Sequence, residues 1–122
     1  MDWIQVGQDH LRAAKLLLGK HPRSAVSRAY YAAHSVLTDR LVRAGWVPAG
    51  NRQMPPHDRQ SRLLQQHLGA NPQLRALIGK LYTRRIDADY NRQATIGNDI
   101  ARQAVRDACA LFILLKVQEV TH

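Results

Sequence analysis

The sequence predicts an all-α fold: an up-and-down bundle of four main helices with a short additional helix, forming one domain over residues 1–122. Three observations carry this expectation. Apolar residues recur at three-or-four spacing along most of the chain, as one face of a helix requires. No run of alternating β-branched residues suggests a sheet. Gly, Pro and Asn fall at a few points that divide the chain into helix-length segments. A chain of 122 residues fits one domain, and at that size folding buries about two thirds of the unfolded surface without disulfides or metal.

The elements follow in order. Trp3, Val6, His10, Ala13 and Leu17 suit a first helix, closed by Gly19 and the His21-Pro22 pair. A second helix runs from about residue 23 or 24 to residue 44, with Gly45 placed to end it, and residues 47–56, rich in Pro, Gly and Asn, read as an extended loop. A short third helix spans about 58–68 and stops at Gly69; it is expected to lie across one end of the bundle. Asn71 is a natural N-cap with Pro72 at the first helical position, so a fourth helix starts there, carries Leu74, Leu77, Ile78, Leu81 and Tyr82, and ends near Arg85. The last helix starts between residues 95 and 99 and continues to about 120. Its inner stripe is Ile100, Ala104, Ala108, Phe112 and Leu115, widened by Ala101, Val105 and Leu111.

The second helix carries two stripes. Val26, Tyr30, Ala33, Leu37, Leu41 and Ala44 form an apolar line that buries one side. Ser27, Tyr31, His34 and Thr38 fall on the adjoining line, displaying hydroxyls, a phenol and an imidazole together beside Arg28. Polar groups in such a row need partners if they are buried, and a second copy of the chain is one source of them.

Net charge is +9 with the histidines neutral, and 18 of 122 residues are Lys or Arg, Arg far outnumbering Lys. The planar guanidinium suits phosphate and base stacking better than a lysine point charge, so the balance favours a polyanionic partner: RNA, DNA or an acidic protein. The competing explanation is a basic surface kept for solubility. The single cysteine, Cys109, sits among apolar residues and reads as core filling, which excludes a disulfide framework and a cysteine-based zinc site. No two histidines have the spacing of a metal site on one helix, so no metal or other cofactor is expected. Asp2 and Trp3 stand where a signal peptide would need basic residues, and no stretch approaches the ~18–20 apolar residues of a membrane span. A cytoplasmic protein with no membrane association is expected.

The Ser-Arg-Ala-Tyr-Tyr-Ala run at residues 27–32, His57 downstream, and then Arg85, Ala88, Asp89 and Tyr90 occur in an order that resembles one family. The chain looks like a stand-alone bacterial HEPN domain, of the small subgroup whose members are partners of minimal nucleotidyltransferases in toxin-antitoxin pairs. The resemblance spans roughly residues 8–116 and rests on about a dozen residues. It implies a helical bundle, a homodimer that brings the two Arg85 segments toward a shared cleft, action on RNA and a nucleotidyltransferase antitoxin. HEPN ribonucleases carry an arginine and a histidine separated by four to six residues, the arginine stabilising phosphate and the histidine moving protons. Here Arg85 is present, but residues 86–93 contain no histidine, and Tyr90 occupies the first such position. A phenol, with an ordinary pKa near ~10, is a poor general base at neutral pH.

Two roles remain open for this segment. Arg84, Arg85 and Arg92 suit a clamp on backbone phosphate, with Tyr90 stacking on a base or donating its hydroxyl and Asp89 orienting Arg85. Alternatively Arg85 and Asp89 pair one turn apart as a structural feature and Tyr90 packs against the bundle. His57, at a helix start and matched by the resemblance, is a candidate for proton transfer. His34 is a candidate too, or else a buried histidine satisfied by a hydroxyl. The sequence thus supports a toxin-like RNA-binding protein, a ribonuclease if Arg85 acts with Tyr90, His57 or His34. Arg28 and Tyr31 join Arg84, Arg85 and Arg92 as the expected nucleic-acid-binding residues, and the alternative is a non-catalytic module whose basic helical surface docks a nucleotidyltransferase or another acidic partner.

Overall fold

A computed structural model describes residues 1–48, 54–69 and 71–120, without the side chain of His57. Within these residues the chain is all-helical, a bundle of α1 (Trp3–Leu17), α2 (Pro22–Arg43), α3 (His57–Leu68), α4 (Pro72–Tyr90) and α5 (Asn98–Leu114). The middle of the expected 47–56 loop lies outside the described residues. Local signals set most boundaries. Asp2 accepts a hydrogen bond from the Gln5 N–H at 3.1 Å, and Asn71 accepts from the Leu74 N–H at 3.1 Å ahead of Pro72. Gly45 closes α2 in the left-handed region, with Trp46 N–H donating to Leu41 O at 2.9 Å and Gly45 N–H to Val42 O at 3.1 Å, a pairing that satisfies the last carbonyls.

Two boundaries differ from the expectation. Helix α4 continues to Tyr90 instead of ending near Arg85, because Ala88 is buried and the last carbonyls find a donor on another helix, described below. Helix α5 stops at Leu114 rather than near residue 120. Lys116 takes a φ of 58°, its N–H donates to Ile113 O at 3.0 Å, and the Val117 N–H donates to Phe112 O at 2.9 Å. Val117 is thereby folded back into the core, an apolar contact that accompanies this type of helix end. Arg40 from α2 secures it, donating from Nε to Leu115 O at 3.0 Å and from Nη2 to Lys116 O at 3.3 Å. Gln8 Nε2 donates to Gln118 O at 2.9 Å and Lys15 pairs with Glu119, so the segment after α5 lies against α1.

Helix α2 is the centre of the molecule, with α1, α3, α4 and α5 all packed against it. From Ala29 to Thr38 only Tyr31 is not buried, which one amphipathic stripe would not predict. Small residues make this possible. A Cβ built on Gly7 of α1 would stand 2.7 Å from Val36 Cγ1 and 3.0 Å from Ala32 O, so α1 and α2 approach at a distance that only glycine permits. The remaining core comes from Leu11 of α1, Leu64 of α3, Leu74, Ile78 and Leu81 of α4, and Ala104, Leu111 and Phe112 of α5. Ile100 and Leu115, expected on the inner stripe of α5, flank the core half-buried, and Ala44 is exposed at the end of α2. Cys109 packs at the core edge, where burial raises the thiol pKa. No helix among the described residues is long and apolar enough to cross a membrane.

Candidate functional site

The C-terminal turns of α4 are held by an arginine from the first turn of α2. Arg23 Nη1 donates to Asp87 O at 3.0 Å, Ala88 O at 3.0 Å and Asn91 O at 2.9 Å, while Nη2 reaches Arg92 O at 3.4 Å and Ala94 O. A cation placed there satisfies the unpaired carbonyls and complements the negative end of the helix dipole. This fixes the direction in which Arg85, Asp89 and Tyr90 leave the bundle. Sequence reasoning missed Arg23, because its partners lie more than sixty positions away and nothing local marks it.

Arg85 is the centre of the resulting cluster. Its Nε donates to Asp89 Oδ2 at 3.0 Å, and its Nη2 donates to Tyr31 OH at 2.8 Å and Tyr90 OH at 3.4 Å. Its Cζ lies 5.7, 5.3 and 5.4 Å from the ring centroids of Tyr30, Tyr31 and Tyr90, within the range of cation–π attraction. Asp89 Oδ2 also accepts from Ser27 Oγ at 3.2 Å. Burial works against the guanidinium charge, yet Tyr31, Tyr90, Asp89 and Tyr30 together outweigh it and raise the pKa. The Nη1 amino group has no hydrogen-bond partner among the described residues. Among the described residues no fully buried side-chain nitrogen or oxygen lacks a partner, so Nη1 is not sealed off from solvent. The side chains of Arg85 and Asp89 are 16% and 28% exposed, and Tyr90 is 69% exposed. The geometry thus combines an Arg85–Asp89 pair one turn apart with a guanidinium edge that has no partner among the described residues, beside a Tyr90 ring that is exposed and not packed against the bundle.

The polar stripe of α2 divides. Ser27 and Tyr31 bond to Asp89 and Arg85, whereas Thr38 donates to His34 O at 2.8 Å inside the core. His34 is 5% exposed; its Nδ1 contacts Tyr30 OH at 3.3 Å and Gln60 Nε2 from α3. The stripe needs no second chain to satisfy it, so the inference of a dimer from buried polar groups does not hold. The His34 ring, considered for proton transfer, is enclosed between α2 and α3 and belongs to the core. Tyr30 is buried as well, and burial pushes its pKa up to about 12 against the opposing influence of Gln60 and Arg85.

The other expected site residues lie at varying distances from this centre. Arg84 is turned to α5, where Nη1 pairs with Asp107 Oδ2 at 2.6 Å and Nη2 donates to Gln103 Oε1 at 3.0 Å, so it joins two helices and is not part of the Arg85 cluster. Arg92 is exposed in the turn that Arg23 holds. The side chain of His57 lies outside the described residues. Arg28, exposed on α2, donates from Nη1 to Nδ1 of His10 on α1 at 3.1 Å, and the His10 ring lies 5.9 Å from that of Tyr31. Sequence reasoning had placed His10 on the inward stripe of the first helix without chemistry attached. Among the described residues no group of three or more His, Cys, Asp or Glu side chains is placed to hold a metal ion. No family model, curated protein or solved structure matches the chain.

Proposed function

We propose that the chain is a HEPN-like RNA-binding protein of a toxin-antitoxin type system, in which Arg85 takes a backbone phosphate and Tyr90 stacks on an adjoining base. The observation that supports this is the open Nη1 edge of Arg85. Three hydrogen bonds and three rings hold the guanidinium in place, so little conformational freedom is lost when an anion binds. The exposed Tyr90 ring beside it and the +9 charge of the chain suit a single-stranded polyanion. In this proposal α1, α2, α4 and α5 are the four main helices of an up-and-down bundle, α3 is the short additional helix, and the protein is cytoplasmic. If it is a ribonuclease, it works with Tyr90 in the place of the usual histidine.

The measurement is binding of single-stranded RNA as a function of salt. Neutralising six or more phosphates of a single strand releases counterions, so affinity should fall by about 300-fold or more over a fourfold rise in salt. A nearly flat dependence would speak against RNA. A second reading, a non-catalytic module that docks a nucleotidyltransferase or another acidic partner, is favoured by the shallow groove between α4 and α5. It is lined by Ala76, Leu77, Lys80, Ala110, Ile113 and Leu114, with Ile113 73% exposed. That reading gains if an acidic protein binds at low salt and RNA does not.

A further inference from the structure

We propose that the ligand surface continues past Arg85 onto α1, where His10, fixed by Arg28 as a neutral Nε2–H donor, contacts the sugar–phosphate chain next to the phosphate held by Arg85. The inference rests on the RNA-binding function proposed above and adds a residue that neither composition nor motif spacing marks.

The tautomer follows from donor chemistry. Arginine can only donate, and Arg28 Nη1 stands 3.1 Å from His10 Nδ1. Nδ1 must therefore be the unprotonated nitrogen, and a neutral ring then carries its proton on Nε2. The environment favours the neutral form: burial first, and then the Arg28 charge, lower the His10 pKa, and Asp9 on the same helix only partly offsets them. The surroundings also place the ring within one continuous surface. His10 lies against Tyr31 at 5.9 Å between centroids and a 35° tilt, while Arg85 lies over the same Tyr31 ring at 5.3 Å and bonds its hydroxyl. His10 and Arg85 are thus one aromatic ring apart, a spacing suited to neighbouring positions along one strand. Arg28 is exposed beside them and supplies a second positive charge. Taken together, α1 contributes a neutral donor, α2 a cation and a ring, and α4 a cation, an orienting carboxylate and the exposed Tyr90.

The test compares three variants in fluorescence-anisotropy titrations with a short single-stranded RNA at low salt, each checked for helicity and melting temperature. His10→Ala should weaken binding about tenfold, the loss of roughly one hydrogen bond to a charged group. His10→Gln, which keeps an amide N–H donor near the Nε2 position, should recover most of that loss. Neither should change the salt slope, because the ring is neutral, whereas Arg28→Ala should reduce the slope by about one. Nitrogen NMR of the imidazole in the free protein should show the neutral Nε2–H tautomer at pH 7, and Arg28→Ala should raise the His10 pKa. A charged or Nδ1-protonated ring would overturn the assignment without any RNA present. Wild-type affinity in His10→Ala, with binding lost in Arg85→Ala, would overturn the role of His10 and leave the RNA-binding function standing. If the unmodified protein does not bind RNA at all, that function falls and the present inference with it.

Discussion

An arginine side chain donates and never accepts, so its partners reveal its task. Arg23 spends its donors on backbone carbonyls at the end of α4, and Arg84 spends its own on Asp107 and Gln103. Arg85 alone of the three keeps an open amino group. Replacing Arg23 with Ala should cost about 1–3 kcal/mol, since hydrogen bonds from a charged donor are lost and carbonyls are left to water. It should also weaken RNA binding, because the turn that aims Arg85 loosens; denaturant titration and anisotropy would measure the two effects separately. Tyr30 makes a different residue-scale prediction. Its folded pKa of about 12 exceeds the ordinary 10.0, so native protein holds this proton where unfolded chain has lost it. The associated stability is complete below pH 10 and disappears as the pH rises toward about 12. Ultraviolet titration of tyrosinate should show one phenol ionising late, together with unfolding; a phenol that titrates near pH 10 in folded protein would refute this.

At the scale of elements, the same substitution should have opposite signs on two helices. Gly7→Ala forces a methyl to 2.7 Å from Val36 Cγ1 and 3.0 Å from Ala32 O, both at the packed α1–α2 contact, and should destabilise by about 1–3 kcal/mol through overpacking. A Cβ on Gly79, within α4, would meet nothing within 4 Å. Gly79→Ala should therefore stabilise by about 0.5–1 kcal/mol, the ordinary helix-propensity gain. Chemical denaturation midpoints at unchanged slope would check both, and equal signs would show that the α1–α2 approach is looser than described. Elements were legible in the sequence where the signal was local, as with the Asn71-Pro72 start of α4 and Gly45 after α2. They were misjudged where a distant side chain decided the matter. Arg23 prolongs α4 to Tyr90, and Arg40 helps turn the chain at Lys116 although no glycine stands there. The candidate site divides the same way: the Arg85, Asp89 and Tyr90 motif and the polar line of α2 are periodic features, but the contact of Arg28 with His10 exists only once α1 and α2 are packed.

For the whole molecule, the surface features to account for are the charge of +9 and the groove beside the exposed Ile113. The proposed HEPN-like reading carries a homodimer with it, so under that proposal light scattering at micromolar concentration should give twice the 13.8 kDa of one chain; a monomer would remove any composite site built from two Arg85 segments. The central claim is narrower and concerns one guanidinium. In Arg85→Ala, Asp89 keeps its bond to Ser27 and is 28% exposed, so no carboxylate is stranded and stability should fall by only about 1 kcal/mol. The most direct measurement is RNA affinity and melting temperature taken together on this variant. The prediction is an affinity lower by about 10- to 100-fold, the value of hydrogen bonds to a charged group, in a protein that still melts within a few degrees of the original. Unchanged RNA affinity, or a loss of about 3–5 kcal/mol of stability as for a broken buried ion pair, would contradict it and make Arg85 a structural residue.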